Sequence, residues 1–142
     1  MIETSNIDQA KKLLKTESAP KIVKAVDDAF NRKILEYGKF DILLSVESGD
    51  HQDTLRSINS GFNEVLARIA AKNNISLGID FEEIKALDKK QKAQRLSKIR
   101  QNIRLCRKAG VKLALLHVRD RRDAESFLVA IGASTKQLKE SS

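Results

Sequence analysis

Four short apolar runs, separated by segments with helical character, constrain the fold of this chain more than any other feature. They occupy residues 21–26, 40–46, 75–80 and 111–118. The run FDILLSV at 40–46 is almost continuously apolar, which is typical of strands buried on both faces of a parallel sheet. A helix between two successive strands makes those strands parallel. The sequence therefore predicts an α/β fold of parallel β/α units with about four strands, either an incomplete TIM-type barrel or a small open sheet.

The segments between these runs carry signals for the starts and ends of helices. Asp27 and Asp28 can cap a helix, and Gly38 can end it because glycine adopts the left-handed conformation freely. We expect a first helix over residues 7–15, with Ala10, Leu13 and Leu14 as its apolar side, and a second that carries Phe30, Ile34 and Tyr37 and stops at Gly38. A third helix is expected where Ile58, Phe62, Val65, Leu66, Ile69 and Ala70 recur with helical spacing. Two further helices are expected over about 89–109, before Gly110, and from Asp123 through 131. The longest loop is expected over 47–59, and a linker after the third run is expected through Leu87.

The length of 142 residues fits one domain of common size. We divide it into an N-terminal helical leader (1–18), an α/β domain (19–135) and a frayed polar tail (136–142). The single cysteine excludes an intrachain disulfide, and Cys106 falls at an apolar helix position typical of a small core residue. No apolar segment has the length of a signal peptide or a membrane span. We therefore expect a cytoplasmic protein without a membrane partner.

The distribution of charge indicates an anionic partner. The net charge is +8 and the pI is about 9.7, which favours nucleic acid first and a lipid surface second. Residues 89–108 hold nine Lys or Arg and no acid, so like-charge repulsion in this helix is not offset by neighbouring carboxylates. Aromatic residues are 4% of the chain, so contacts to RNA should depend more on charge than on stacking. A phosphate-binding surface explains the helix better than a solvated face does.

Helical geometry orders these basic residues. The apolar residues Leu96, Ile99, Ile103 and Cys106 would dock this helix on the sheet. One flank of the helix would then carry Arg100, Arg104, Arg107 and Lys108, and the other flank would carry Arg95 and Lys98. A second basic cluster directly follows the last strand, where ligands collect in parallel α/β folds, although neighbouring Asp120 and Asp123 allow a salt-bridged loop instead. The candidate RNA-binding residues are Lys89, Lys90, Lys92, Arg95, Lys98, Arg100, Arg104, Arg107 and Lys108 of the helix, and Arg119, Arg121 and Arg122 of the second cluster.

Signals for catalysis are weak. His51 and His117 are the only histidines, and their spacing does not form a metal-binding pair. His117 lies in an apolar run, and we expect it to be a hydrogen-bonded core residue. Neither a GxGxxG nor a GxxxxGK[ST] phosphate loop occurs. We therefore predict no catalytic residue, no metal and no cofactor.

The order of four segments between residues 39 and 134 resembles the ribonuclease P protein component 3 family, which includes the eukaryotic 30-kilodalton subunit. The residues that carry the resemblance are Gly61, Phe62, Asn63, Val65, Leu66, Ala67 and Arg68 in one helix, Lys72, Asn73 and Ile75 to Gly78 after it, Arg95, Leu96, Ile99, Arg100, Asn102, Leu105, Cys106, Lys108 and Val111 in the basic segment, and Arg122, Asp123, Phe127, Ile131 and Gly132 near the end. The family's first three strands and helices have no counterpart here, and HVRDRRD replaces its usual loop after the last strand.

This resemblance implies a barrel subunit that does not itself catalyse. In the family, the RNA removes the 5′ leader from precursor tRNA, and the protein binds that RNA together with a second protein subunit. The expected partners are therefore ribonuclease P RNA, a second ribonuclease P protein and, as a further candidate, precursor tRNA. The residues also allow two alternatives, a general RNA or DNA chaperone and a small barrel phosphoesterase or isomerase.

Overall fold

Four parallel strands form one sheet in the computed structural model, which describes residues 1–48 and 60–133. The strands are β1 (Ile22–Lys24), β2 (Ile42–Leu44), β3 (Ser76–Asp80) and β4 (Leu113–Leu116), in the order β1-β2-β3-β4. All three pairings are parallel, with Leu43 opposite Leu77 and Gly78 opposite Ala114. Each strand lies within one of the four apolar runs. The predicted α/β fold of parallel β/α units is confirmed.

Helices connect the strands. They are α1 (Ile7–Thr16), α2 (Asp28–Tyr37), α3 (Glu64–Lys72), α4 (Phe81–Lys85), α5 (Lys89–Ala109) and α6 (Arg121–Ala130), and a single 3₁₀ turn, Val46–Ser48, follows β2. The bounds of α5 are those predicted. Gly38 and Gly110 end α2 and α5 in the left-handed conformation, at φ 71° and 83°, as expected from their positions.

The two faces of the sheet differ in what they contact. Alternate strand residues, including Val23, Leu43 and Leu113, join the helices in one continuous hydrophobic core. On the opposite face Gly78 lies against β2, where a Cβ atom would stand 2.7 Å from Ile42 Cγ2. A larger residue at this position would displace the Ile42 side chain, so this close contact favours glycine.

The N-terminal segment packs on the same core as the rest of the described chain. Ile2 forms an isolated parallel bridge with Val23 of β1. The helix α1 buries Ala10 and Leu14 in the hydrophobic core. Leu13, which we expected on the apolar side, is 40% exposed. The domain boundary at residue 18 stays a prediction.

Several details of the predicted helices and of the predicted linker were wrong. The linker after β3 contains α4, because the Asp80 carboxylate accepts the N–H groups of Glu82 and Glu83 and starts a helix there. The last helix begins at Arg121, with Asp120 rather than Asp123 as its cap. Val65 is 48% exposed, whereas Phe62 is buried but precedes α3. Ile58, His51, the predicted tail and most of the predicted 47–59 loop lie outside the described residues.

Candidate nucleic-acid interface

The helix α5 is fixed at both ends and along one side. Asp88 and Gln91 form a capping box at its start, and Gly110 ends it. Ile99, Ile103 and Cys106 are at most 1% exposed. Leu96 is partly buried, and burial raises the pKa of the Cys106 thiol, as expected of a core cysteine. The predicted docking stripe is confirmed, so the basic residues on the opposite side of α5 face outwards.

The outer flank of α5 carries three arginines that no carboxylate of the described residues contacts. Arg100, Arg104 and Arg107 are exposed, and within residues 1–48 and 60–133 no carboxylate lies at ion-pair distance from them. Lys89 and Lys90 are exposed in the first turn, whereas Lys92 and Lys98 are half-buried. Long basic side chains with no partner on a rigid helix can contact a phosphate backbone without first breaking an internal ion pair.

Lys108 differs from these arginines because it contacts a neighbouring helix. Its Nζ lies 2.9 Å from Oε1 of Glu64, in the first turn of α3. The hydrogen bond from Lys108 holds the pKa of the Glu64 carboxyl below its usual value. Lys108 remains 74% exposed, so this ion pair does not remove it from the surface.

Arg95 is not part of the exposed surface, which corrects our prediction. Only 12% of its side chain is exposed, and Nη1 lies 2.9 Å from Glu83 Oε1 and 3.5 Å from Glu47 Oε1. Arg95 therefore joins α5 to α4 and to the 3₁₀ turn after β2. It stabilises the position of the basic helix and is unsuited to bind phosphate.

The carboxylates around Arg95 form a buried polar cluster that the sequence did not indicate. The Glu47 side chain is 2% exposed, and burial raises its pKa to about 7, with the charge of Arg95 acting in the opposite direction. The hydroxyl of Ser45, a buried residue with φ 58°, donates to Glu83 Oε2 at 3.1 Å. Glu47 and Arg95 are 48 positions apart, so no local pattern links them.

The raised pKa of Glu47 predicts a pH dependence of stability. The unfolded chain releases this proton near pH 4.5 and the folded protein near pH 7. Because the folded state binds the proton more tightly, the free energy of unfolding should fall as the pH rises through this window, by up to about 3 kcal/mol from this group. Glu47→Gln cannot titrate and should remove this component, as measured by urea unfolding at several pH values. Glu36→Gln, on the exposed side of α2, is the control, and parallel pH profiles of wild type and Glu47→Gln would contradict the prediction.

The second basic cluster lies in the first turn of α6 and just before it. Arg119, Arg121 and Arg122 are all exposed. Arg121 Nε is 2.8 Å from Glu125 Oε1, and Asp120 caps the helix through the N–H groups of 122 and 123. Arg121 therefore forms a salt bridge, which was our alternative to a phosphate contact for this cluster, and Glu125 is a partner in it.

His117 is exposed, not a core residue, because β4 ends at Leu116 and the next residue adopts φ 56°. Its Nδ1 lies 3.1 Å from Asp80 Oδ1, and this carboxylate raises the pKa of the imidazole. In the part of the chain that the structure describes, no three His, Cys, Asp or Glu side chains are placed to hold a metal ion. No helix of that part is long and apolar enough to cross a membrane.

The sheet and the cation-rich α5 define a parallel α/β protein of the barrel type with a strongly basic outer helix.

No family model matches the chain. It is 35% identical over 94 residues to ribonuclease P protein component 3 of Methanosarcina acetivorans, and 34% identical over 94 residues to the protein of the same name from Methanosarcina mazei. Each match covers 66% of this chain and 36% of the relative.

A solved structure shows the same fold. A chain of the cryo-EM structure of archaeal ribonuclease P with mature tRNA superposes with a TM-score of 0.76 at 21% identity, over 97% of this chain and 62% of that chain. The resemblance inferred from the sequence is confirmed by these similarities to ribonuclease P protein component 3. It spans about a third of the length of the curated relatives it matches.

Proposed function

We propose that this protein is a non-catalytic subunit of ribonuclease P that binds the RNA subunit and supports removal of the 5′ leader from precursor tRNA. The observation that carries this proposal is the exposed flank of α5 at Arg100, Arg104 and Arg107, three side chains with no carboxylate of residues 1–48 and 60–133 at ion-pair distance, on a chain similar to ribonuclease P protein component 3. The cluster at Arg119 and Arg122 offers a second point of contact with phosphates.

The proposed partners follow from the same relatives. They are ribonuclease P RNA, a second protein subunit of ribonuclease P and precursor tRNA. The solved structure with the same fold contains ribonuclease P together with mature tRNA, which supports RNA and protein partners in general. Large apolar side chains that remain exposed, such as Val65 and Val129, are candidates for contact with the protein partner.

RNA binding by the wild-type protein should be strongly dependent on salt. We expect log K to fall linearly with log salt, with a slope of about −0.7 to −0.9 for each phosphate contact. The measurement is a titration of ribonuclease P RNA at several salt concentrations, with an unrelated structured RNA of equal length as the control. A flat salt dependence would rule out the electrostatic surface.

A general RNA chaperone is the second candidate function, because the net charge of +8 would attract any RNA. Equal affinity for ribonuclease P RNA and the unrelated RNA would favour it. A clear preference for ribonuclease P RNA would favour the subunit.

A further inference from the structure

The neighbouring helices α3 and α5 share an ion pair on the outer surface. Glu64, in the first turn of α3, lies 2.9 Å from Lys108 Nζ and 3.7 Å from Arg68 Nη2. One carboxylate therefore contacts a cation from each helix. The three side chains are 52–75% exposed, so the group is open to solvent.

Cations exceed acids on this surface. Arg68 and Lys72 are four residues apart and therefore lie on the same side of α3, one turn from each other. Arg104 and Lys108 have the same relation on α5. Glu64 is the only acid in either helix, and it contacts two of these four cations, Lys108 and Arg68.

Ion pairs of this exposure contribute little to stability, because water and salt screen them. A phosphate can therefore replace Glu64 as the partner of Lys108 and Arg68 at small cost to the fold. Arginine also binds phosphate through two parallel hydrogen bonds, which suits Arg68 to such an exchange.

We propose that the RNA-binding surface extends from α5 onto α3 through Arg68 and Lys72, and that Glu64 holds Lys108 and Arg68 until RNA phosphate displaces it. This inference rests on the proposed RNA-binding function and adds two residues and one competing carboxylate to it. In the free protein Glu64 orders the cations, and in the complex it opposes binding.

The test compares two ion pairs of the same spacing on different helices. Glu64→Gln and Arg68→Ala change the pair on α3. Glu36→Gln and Arg32→Ala change a pair on α2 that has the same i,i+4 spacing, with the arginine first, and side-chain exposures of 60% for Arg32 and 53% for Glu36. Each variant is titrated with ribonuclease P RNA across a salt series, and thermal unfolding checks that it is folded. Glu64→Gln should bind more tightly, because phosphate no longer has to displace a carboxylate. Arg68→Ala should bind less tightly, with a salt slope shallower by about one contact, so that its affinity falls by a factor roughly threefold smaller than that of wild type between 50 and 200 mM salt. The α2 variants should bind like wild type.

Equal RNA affinity of the α3 variants and their α2 controls would overturn the extension onto α3. If the arginines of α5 still prove necessary for binding in that case, the proposed function stands without the extension. If wild-type protein binds no RNA at all, the proposed function itself fails.

Discussion

Replacing Arg95 with alanine is expected to lower the free energy of unfolding by about 3–5 kcal/mol, the typical cost of removing one partner from a buried ion pair. Arg95 lies between Glu47 and Glu83, at 3.5 Å and 2.9 Å, and only 12% of its side chain reaches solvent. Without the guanidinium, the carboxylates of Glu47 and Glu83 would lose the cation that both contact, and the buried Glu47 would keep a hydrogen bond from the backbone. Urea unfolding at neutral pH measures the loss.

Arg100→Ala is the matched control for Arg95→Ala. It removes the same side chain from the same helix, but Arg100 is exposed and the change should stay within about 0.5 kcal/mol. The effects on RNA affinity should be the opposite of those on stability. Arg100→Ala should weaken binding, whereas folded Arg95→Ala should bind like wild type. If Arg95→Ala is as stable as Arg100→Ala, the buried cluster does not stabilise α5.

The combined variant Arg100→Ala, Arg104→Ala and Arg107→Ala should lose RNA affinity on the order of 100-fold near 0.1 M salt. Its salt slope should become shallower by about 2–3 units, because three phosphate contacts are lost together. Its stability should hardly fall, since these side chains are exposed and their mutual repulsion is removed. Filter binding or fluorescence anisotropy across a salt series gives both quantities.

Ile103→Ala separates a binding effect from a folding effect. Ile103 lies on the buried side of α5 and is fully buried, so its truncation should cost about 2–5 kcal/mol of stability. The fraction that remains folded should bind RNA like wild type. If the triple arginine variant also binds like wild type, the RNA-binding surface lies elsewhere, with Arg119 and Arg122 as the next candidates.

The parts of the fold that the sequence predicted are those with local signals. The bounds of α5 followed from an uninterrupted basic amphipathic segment that ends at Gly110, and each strand followed from an apolar run. The start of α6 was ambiguous because Asp120 and Asp123 can both cap a helix, and the tertiary structure selected Asp120. The five residues of α4 are too few to show a helical period.

The features of the candidate site that could be predicted are those that follow from the geometry of a single helix. The exposure of Arg100, Arg104 and Arg107 followed from the angle between these residues and the apolar stripe. The role of Arg95 did not, because its partners come from other elements, and a basic residue on the flank of a helix gives no sign of a distant buried carboxylate. His117 was misplaced because the apolar run extends past the last paired residue of β4.

The most direct test of the account is precursor-tRNA cleavage by a ribonuclease P reconstituted from its RNA and the other protein subunits, with and without this protein. We predict that wild-type protein raises the rate of 5′-leader removal, that the triple arginine variant does not, and that the protein alone cleaves nothing. Cleavage that is unaffected by the wild-type protein, or that proceeds with the protein in the absence of the RNA, would contradict a role as a non-catalytic subunit.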